Sequence, residues 1–297
     1  VIGFIFPGQG AQYVGMTDDL THPAARRVIE EGQDLLGCKV EFGSPETHHS
    51  QVAIYLHSMA VYAAVSELYP EIKPAVCAGL SLGEFTAVTV AGLLSFEQCL
   101  PLVAARGRLM SEACEQTKGA MAAVIGMDDE VVEQVCAPIE GLWVANYNAP
   151  GQVVISGTKE GVEAGIAALK EAGARRLVPL EVHGAFHSGL MESARVGLAK
   201  EVDQLEFGSL QETNLVMNVP GGYVRDGFAD NMIAQVTHSV RWRQGVEAMV
   251  AAGVETFIEM GPGSTLAGMN RRIAKGATTI SLDKMSDLEK LEELACV

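Results

Sequence analysis

The segment PAVCAGLSLGEFTAVTVAGLLS, residues 74–95, restricts the fold more than any other stretch. A short apolar run ends at Gly79, turns through Ser81, and resumes after Gly83 as a mostly apolar helix. A second buried-strand run, VIGFIF at residues 1–6, also ends in a glycine loop, PGQG. Strand–loop–helix alternation of this kind predicts an α/β protein with a parallel sheet and helices on its faces. Glycines on either side of Ser81 let the backbone bend sharply, so that Oγ projects and the next N–H stays free for an oxyanion. A chain with 32 glycines also produces Gly-x-Ser-x-Gly by chance, so the turn alone does not decide between a nucleophile and a structural serine.

A length of 297 residues suits one large domain, or a large one with a smaller companion, without staples. The net charge of −16 speaks against nucleic acid and against anionic membranes, since both are bound through Lys and Arg. No membrane-spanning run is present. The six cysteines are scattered without a C-x-x-C pair, and no signal-peptide pattern opens the chain, so a reduced, cytoplasmic protein is expected. His48 and His49 are expected to be surface histidines, and no metal is expected. PGQG is not a dinucleotide loop, because Tyr13 stands where the third glycine belongs, and no P-loop occurs.

The middle of the chain has a different pattern. GAMAAVIGMD reads as a strand, DEVVEQVCA as a helix, and LWVANYNA with QVVISG as a strand pair around APG. TKEGVEAGIAALKEAG then reads as a helix and RRLVPLEV as a strand. This β-α-β-β-α-β order is ferredoxin-like. The expected organisation is a large α/β body, residues 1–118 and 184–297, carrying a ferredoxin-like insert at 119–183. A cleft between them is a natural ligand site.

Ser81 needs a base to act as a nucleophile. His187 in EVHGAFHSGL precedes a helix that Ser188 can cap, and the helix dipole would keep its ring neutral; His183 is the local competitor. Ser95 and Gln98 have capping-box spacing at the start of another helix, which Pro101 is expected to kink. Arg106 falls on that helix's apolar stripe, with Leu102, Val103, Leu109, Met110 and Ala113, whereas Arg108 points away. A guanidinium on a burying face needs an anion, either a structural Asp or Glu or a carboxylate on the substrate.

In the order FPGQGAQ, GLSLGEFTA, ARGRLM, GAMAAVIG, NAPGQVVISG, AFHS, QVTHSVRW and GPG, the chain resembles the malonyl-CoA:acyl carrier protein transacylases of bacterial type II fatty-acid synthesis. The resemblance covers almost the whole chain and implies a hydrolase-like α/β body with a ferredoxin-like insert. It implies Ser81 as nucleophile, His187 as general base, and a backbone carbonyl of Gln235 orienting the histidine. It implies an oxyanion hole of the Leu82 and Gln9 N–H groups and a malonyl carboxylate bound by Arg106. Met110 and Met121 match acyl-pocket positions, Asn148 lies on the insert's side of the cleft, and Phe186 resembles malonyl-selective members. The partners implied are malonyl-CoA and an acidic acyl carrier protein, with coenzyme A and phosphopantetheine as substrate carriers and no permanently bound cofactor. Lys170, Arg175 and Arg176, or Arg271, Arg272 and Lys275, are candidates for docking the carrier. One departure is Leu80, where most members have His before the serine.

Two other readings stay open at this stage. One is a serine acyl hydrolase, a thioesterase or a patatin-like enzyme using a Ser81–Asp226 dyad. The other is a noncatalytic module that binds acyl-CoA or a carrier protein. An acyltransferase domain of a polyketide assembly line would share the transfer chemistry.

Overall fold

A computed structural model describes residues 1–182 and 184–295; His183 and Cys296 lie outside the described residues. Its strands are β1 (Ile2–Phe6), β2 (Val76–Gly79), β3 (Gly119–Ile125), β4 (Leu142–Ala149), β5 (Gln152–Thr158), β6 (Arg176–Pro179), β7 (Asn214–Met217), β8 (Gly222–Val224), β9 (Thr256–Met260) and β10 (Thr278–Leu282). Six of them form one sheet in the order β10-β9-β1-β2-β7-β8. Every pair in it is parallel except β7–β8, an antiparallel edge.

The side-chain period of two divides the central strands between two cores. Phe4, Phe6 and Cys77 join one core, while Ile5, Val76 and Ala78 join the other. Helices cover both faces, so the strands read as unbroken apolar runs. Helix Thr47–Leu68 is buried along most of its length, and no helix among the described residues is long and apolar enough to cross a membrane.

The remaining strands form a separate antiparallel sheet in the order β4-β5-β3-β6, all within the connection from β2 to β7. Ala122 and Val124 pack with Val132 and Leu169 of its own helices in a third core. Met121, Ala145 and Val154 face the other way and join the main core. The segment after Gln235 is fastened to β4. Tyr147 N–H donates to Val240 O at 2.9 Å, and Val240 N–H donates to Ala145 O at 2.8 Å.

Helix Phe96–Gln116 runs through Pro101 as a single element. Proline removes the bond to the carbonyl of Glu97, an exposed residue in the first turn, where water can serve instead. The helix expected directly after His187 begins as a 3₁₀ turn, Gly189–Met191, and becomes α-helical at Glu192–Val202. β8 and β10 were not read from the sequence.

Candidate active site

The turn after β2 is locked by close backbone packing. A Cβ on Gly79 would lie 2.0 Å from the Gly83 carbonyl, and one on Gly83 would lie 2.1 Å from the Phe6 carbonyl. Only glycine fits at either place. Between them Ser81 has φ +54°, a left-handed conformation that is uncommon outside glycine. Its N–H donates to Asn218 Oδ1 at 2.8 Å, which pins the turn to the end of β7.

Ser81 Oγ lies 2.8 Å from His187 Nε2. The other ring nitrogen, Nδ1, is 2.8 Å from the Gln235 backbone carbonyl. A carbonyl only accepts, so Nδ1 carries the proton and Nε2 is free to accept one from serine. His187 also has φ +54°; it and Ser81 are the only non-glycine residues with positive φ among those described. Burial pulls the His187 pKa down to about 4, and the charge of Arg106 pulls in the same direction. Desolvation and a neighbouring cation thus both favour the neutral ring. Ser188 does act as a cap, accepting from Leu190 N–H at 3.2 Å.

Arg106 is 1% exposed, and its guanidinium reaches into the same place. Nη2 donates to Ser81 Oγ at 3.1 Å and to Gln235 Oε1 at 2.7 Å; Nη1 donates to Gln51 Oε1 at 2.7 Å. All three acceptors are uncharged. Among the described residues Arg106 takes part in no ion pair, and its Nε has no partner. The structural Asp or Glu that sequence allowed is absent from direct contact. A buried cation left with neutral partners is a strong receptor for an anionic ligand.

A cavity of about 380 Å³ opens over the serine. Gln9 and Leu80 line it from the large sheet's side, and Met121 and Asn148 from the antiparallel sheet. Met110, Phe186, Ser81 and His187 also face it. Gln235 and Leu82 are fully buried beside the site. Neither the Leu82 nor the Gln9 N–H has a hydrogen-bond acceptor among the described residues. Asp226 is exposed before Gly227 and does not line the cavity, and the Ser81 Oγ partners are His187 and Arg106 instead.

Sequence reading missed three residues of this site: Gln51, Glu84 and Asn218. Each is a polar residue that is nearly or wholly buried. The available signal was a polar side chain interrupting an apolar run, as Gln51 does in SQVAIYLHS. Glu46, next to the cavity-lining Pro45, stands beside His48 and His49, with one ligand atom from each within 4.8 Å of the others.

The acyl transferase domain family matches residues 3–286. The chain belongs to this acyl transferase family. Among its relatives, the malonyl CoA-acyl carrier protein transacylase of Bacillus subtilis is 38% identical, with 98% of this chain and 95% of that protein covered. An acyl carrier protein S-malonyltransferase from Vibrio cholerae superposes with a TM-score of 0.92 at 36% identity, covering 98% and 99% of the two chains. A malonyl-transacylase solved in complex with a type II PKS acyl-carrier protein has a TM-score of 0.93 at 34% identity, covering 99% of each chain.

Proposed function

We propose that the protein transfers a malonyl group from malonyl-CoA to the phosphopantetheine thiol of an acyl carrier protein, through a malonyl ester on Ser81. The observation that carries this reading is Arg106, a buried cation with uncharged acceptors only, one of them the nucleophile's Oγ at 3.1 Å. An acyl group attached at Ser81 and ending in a carboxylate would place that charge against the guanidinium.

In the first half-reaction Oγ attacks the thioester carbonyl while His187 Nε2 takes the hydroxyl proton. Charge developing on the carbonyl oxygen is met by the Leu82 and Gln9 N–H groups, and one such donor is worth about 3 kcal/mol in the transition state. His187 returns the proton to the departing coenzyme A sulfur. In the second half-reaction the same ring nitrogen deprotonates the carrier thiol, which attacks the ester and regenerates Ser81. The Gln235 carbonyl holds the imidazole in the tautomer that both steps need. Acetyl-CoA is a poor donor on this account, because it brings no carboxylate to pair with the buried guanidinium.

Met110, Met121 and Phe186 shape the apolar wall around the acyl chain, with Asn148 offering a polar contact from the antiparallel sheet. We treat residues 119–183 as an inserted unit whose sheet closes the cleft over the body, 1–118 and 184–297. Coenzyme A and phosphopantetheine enter as substrate carriers, and the chemistry needs no resident cofactor. The five cysteines among the described residues are free, which suits a reducing, cytoplasmic setting. The test is transfer itself: malonyl-CoA and a phosphopantetheinylated carrier are mixed with enzyme, and the carrier's mass is followed. Malonyl-carrier should form with the native protein and not with Ser81→Ala. Free malonate without malonyl-carrier would instead establish a hydrolase.

A further inference from the structure

One buried carboxyl beneath this site takes no part in the chemistry above. Glu84, in the first turn of helix Gly83–Val90, is wholly buried. Its Oε2 accepts from Asn218 N–H at 2.7 Å and its Oε1 from Gln235 Nε2 at 3.0 Å. The far end of the same amide, Gln235 Oε1, accepts from Arg106 at 2.7 Å. One neutral side chain therefore separates a buried acid from a buried cation. Both carboxyl oxygens face donors, which suits the ionised form, so once Glu84 has lost its proton the empty site holds one charge of each sign.

The buried thiols and the buried phenol on the packed elements stay neutral between pH 7 and 9. Cys77 on β2 and Tyr55 on helix Thr47–Leu68 are pushed up by burial, and Cys99 on helix Phe96–Gln116 is pushed up to about 11. His57, on the same helix as Tyr55, faces Asp283 with Nε2 3.2 Å from Oδ1. β1 and β7 carry no titratable side chain. His187 is already neutral in this range.

We infer that Glu84 and an incoming acyl carboxylate compete for the single positive charge of Arg106, so that malonyl binding drives a proton onto Glu84 and malonyl selectivity weakens as pH rises. This rests on the reading that Arg106 binds the acyl carboxylate. The balance is simple. Above about pH 8, before loading, the Arg106 guanidinium is countered by the Glu84 carboxylate. After loading it is countered by the malonyl carboxylate, and one proton taken from solvent neutralises Glu84. That proton returns to solvent when the malonyl group leaves on the carrier thiol.

Burial already opposes the Glu84 charge and pushes its pKa up to about 8, while the Asn218 N–H, Arg106 and Gln235 hold it down. A second anion at Arg106 cancels part of that help and pushes the carboxyl higher still. A proton taken up on binding means that binding weakens about tenfold per pH unit above the free-site value. An acetyl group carries no carboxylate and escapes this linkage. The malonyl carboxylate itself ionises at about pH 4, outside the window.

The test compares kcat/KM for malonyl-CoA and acetyl-CoA from pH 7 to pH 9 in the native enzyme, Glu84→Gln and Arg106→Ala. In the native enzyme the malonyl-to-acetyl ratio should fall about tenfold across that range, and in Glu84→Gln it should stay within about twofold. A flat ratio in the native enzyme, or the same fall in Glu84→Gln, overturns the inference. Arg106→Ala separates the two levels: retention of the native ratio at pH 7 refutes the carboxylate-binding reading itself. Loss of the ratio in Arg106→Ala, with a flat native profile, refutes only the proton linkage. If Glu84→Gln does not fold, proton uptake by the native enzyme in weak buffer at pH 9 decides. Malonyl-CoA should take up close to one proton per serine more than acetyl-CoA does, and no difference overturns the linkage.

Discussion

Ser81 and His187 both occupy left-handed backbone, and their side chains meet at 2.8 Å. Such strain persists only where surrounding contacts over-determine it, and here Asn218 and the Gln235 carbonyl do so. Placing an imidazole beside a guanidinium in a dry pocket has a measurable consequence. With the His187 pKa pulled down to about 4, acylation should stay level from pH 7 to about pH 5 and reach half its value near pH 4. A half-point near 6.5, the value of free histidine, would show that the ring is not desolvated as described. The same shift bears on stability. The unfolded histidine binds its proton first as pH falls, so the folded state loses stability between about pH 6.5 and pH 4, by up to about 3 kcal/mol. Denaturant titrations of the native protein and His187→Ala over that range should differ by this slope.

At the level of elements, two short sequence patterns place Ser81 and Arg106. The Gly79–Gly83 turn was legible because it depends on backbone clearance, which sequence reports directly through glycine. Gly83→Ala should destabilise the protein by about 3 kcal/mol in thermal or urea denaturation, since the added methyl meets a strand carbonyl at 2.1 Å. An unchanged melting temperature would mean that the turn is looser than described. The helix carrying Arg106 begins with a full capping box between Ser95 and Gln98. Ser95→Ala should cost about 1 kcal/mol of stability while leaving malonyl loading unchanged, because the cap lies three turns from the guanidinium. Arg106 itself was legible as a charge on an apolar stripe. Its neutral partners were not, because Gln51 and Gln235 reach it from 55 and 129 residues away. Glu84 was hidden for a related reason: within GEFTAVTV it reads as an ordinary acidic residue of a helix's first turn. The short edge strands β8 and β10 carry too little periodicity to stand out from loops.

The whole molecule brings a parallel and an antiparallel sheet together around one cavity. The β-α-β-β-α-β order of the smaller unit was readable because each element has its own period and stop signal. Its docking was not, because that depends on backbone bonds such as Tyr147 N–H to Val240 O. Those bonds hold β4 to the segment after Gln235, whose carbonyl accepts from His187, so in the proposed mechanism the second sheet supports the catalytic geometry as well as enclosing the acyl group. Filling the cavity from that side tests its role as a wall. Met121→Trp should lower malonyl loading at least tenfold, and stopped-flow release of coenzyme A would measure it. Loading at the native rate would remove Met121 from the acyl pocket.

The most direct test of the account is the intact mass of the protein after mixing with malonyl-CoA alone, beside Ser81→Ala. The account predicts a gain of one malonyl group in the native chain and none in the variant. Adduct formation that persists without the Ser81 hydroxyl, or coenzyme A release with no adduct at all, would contradict a malonyl-serine intermediate.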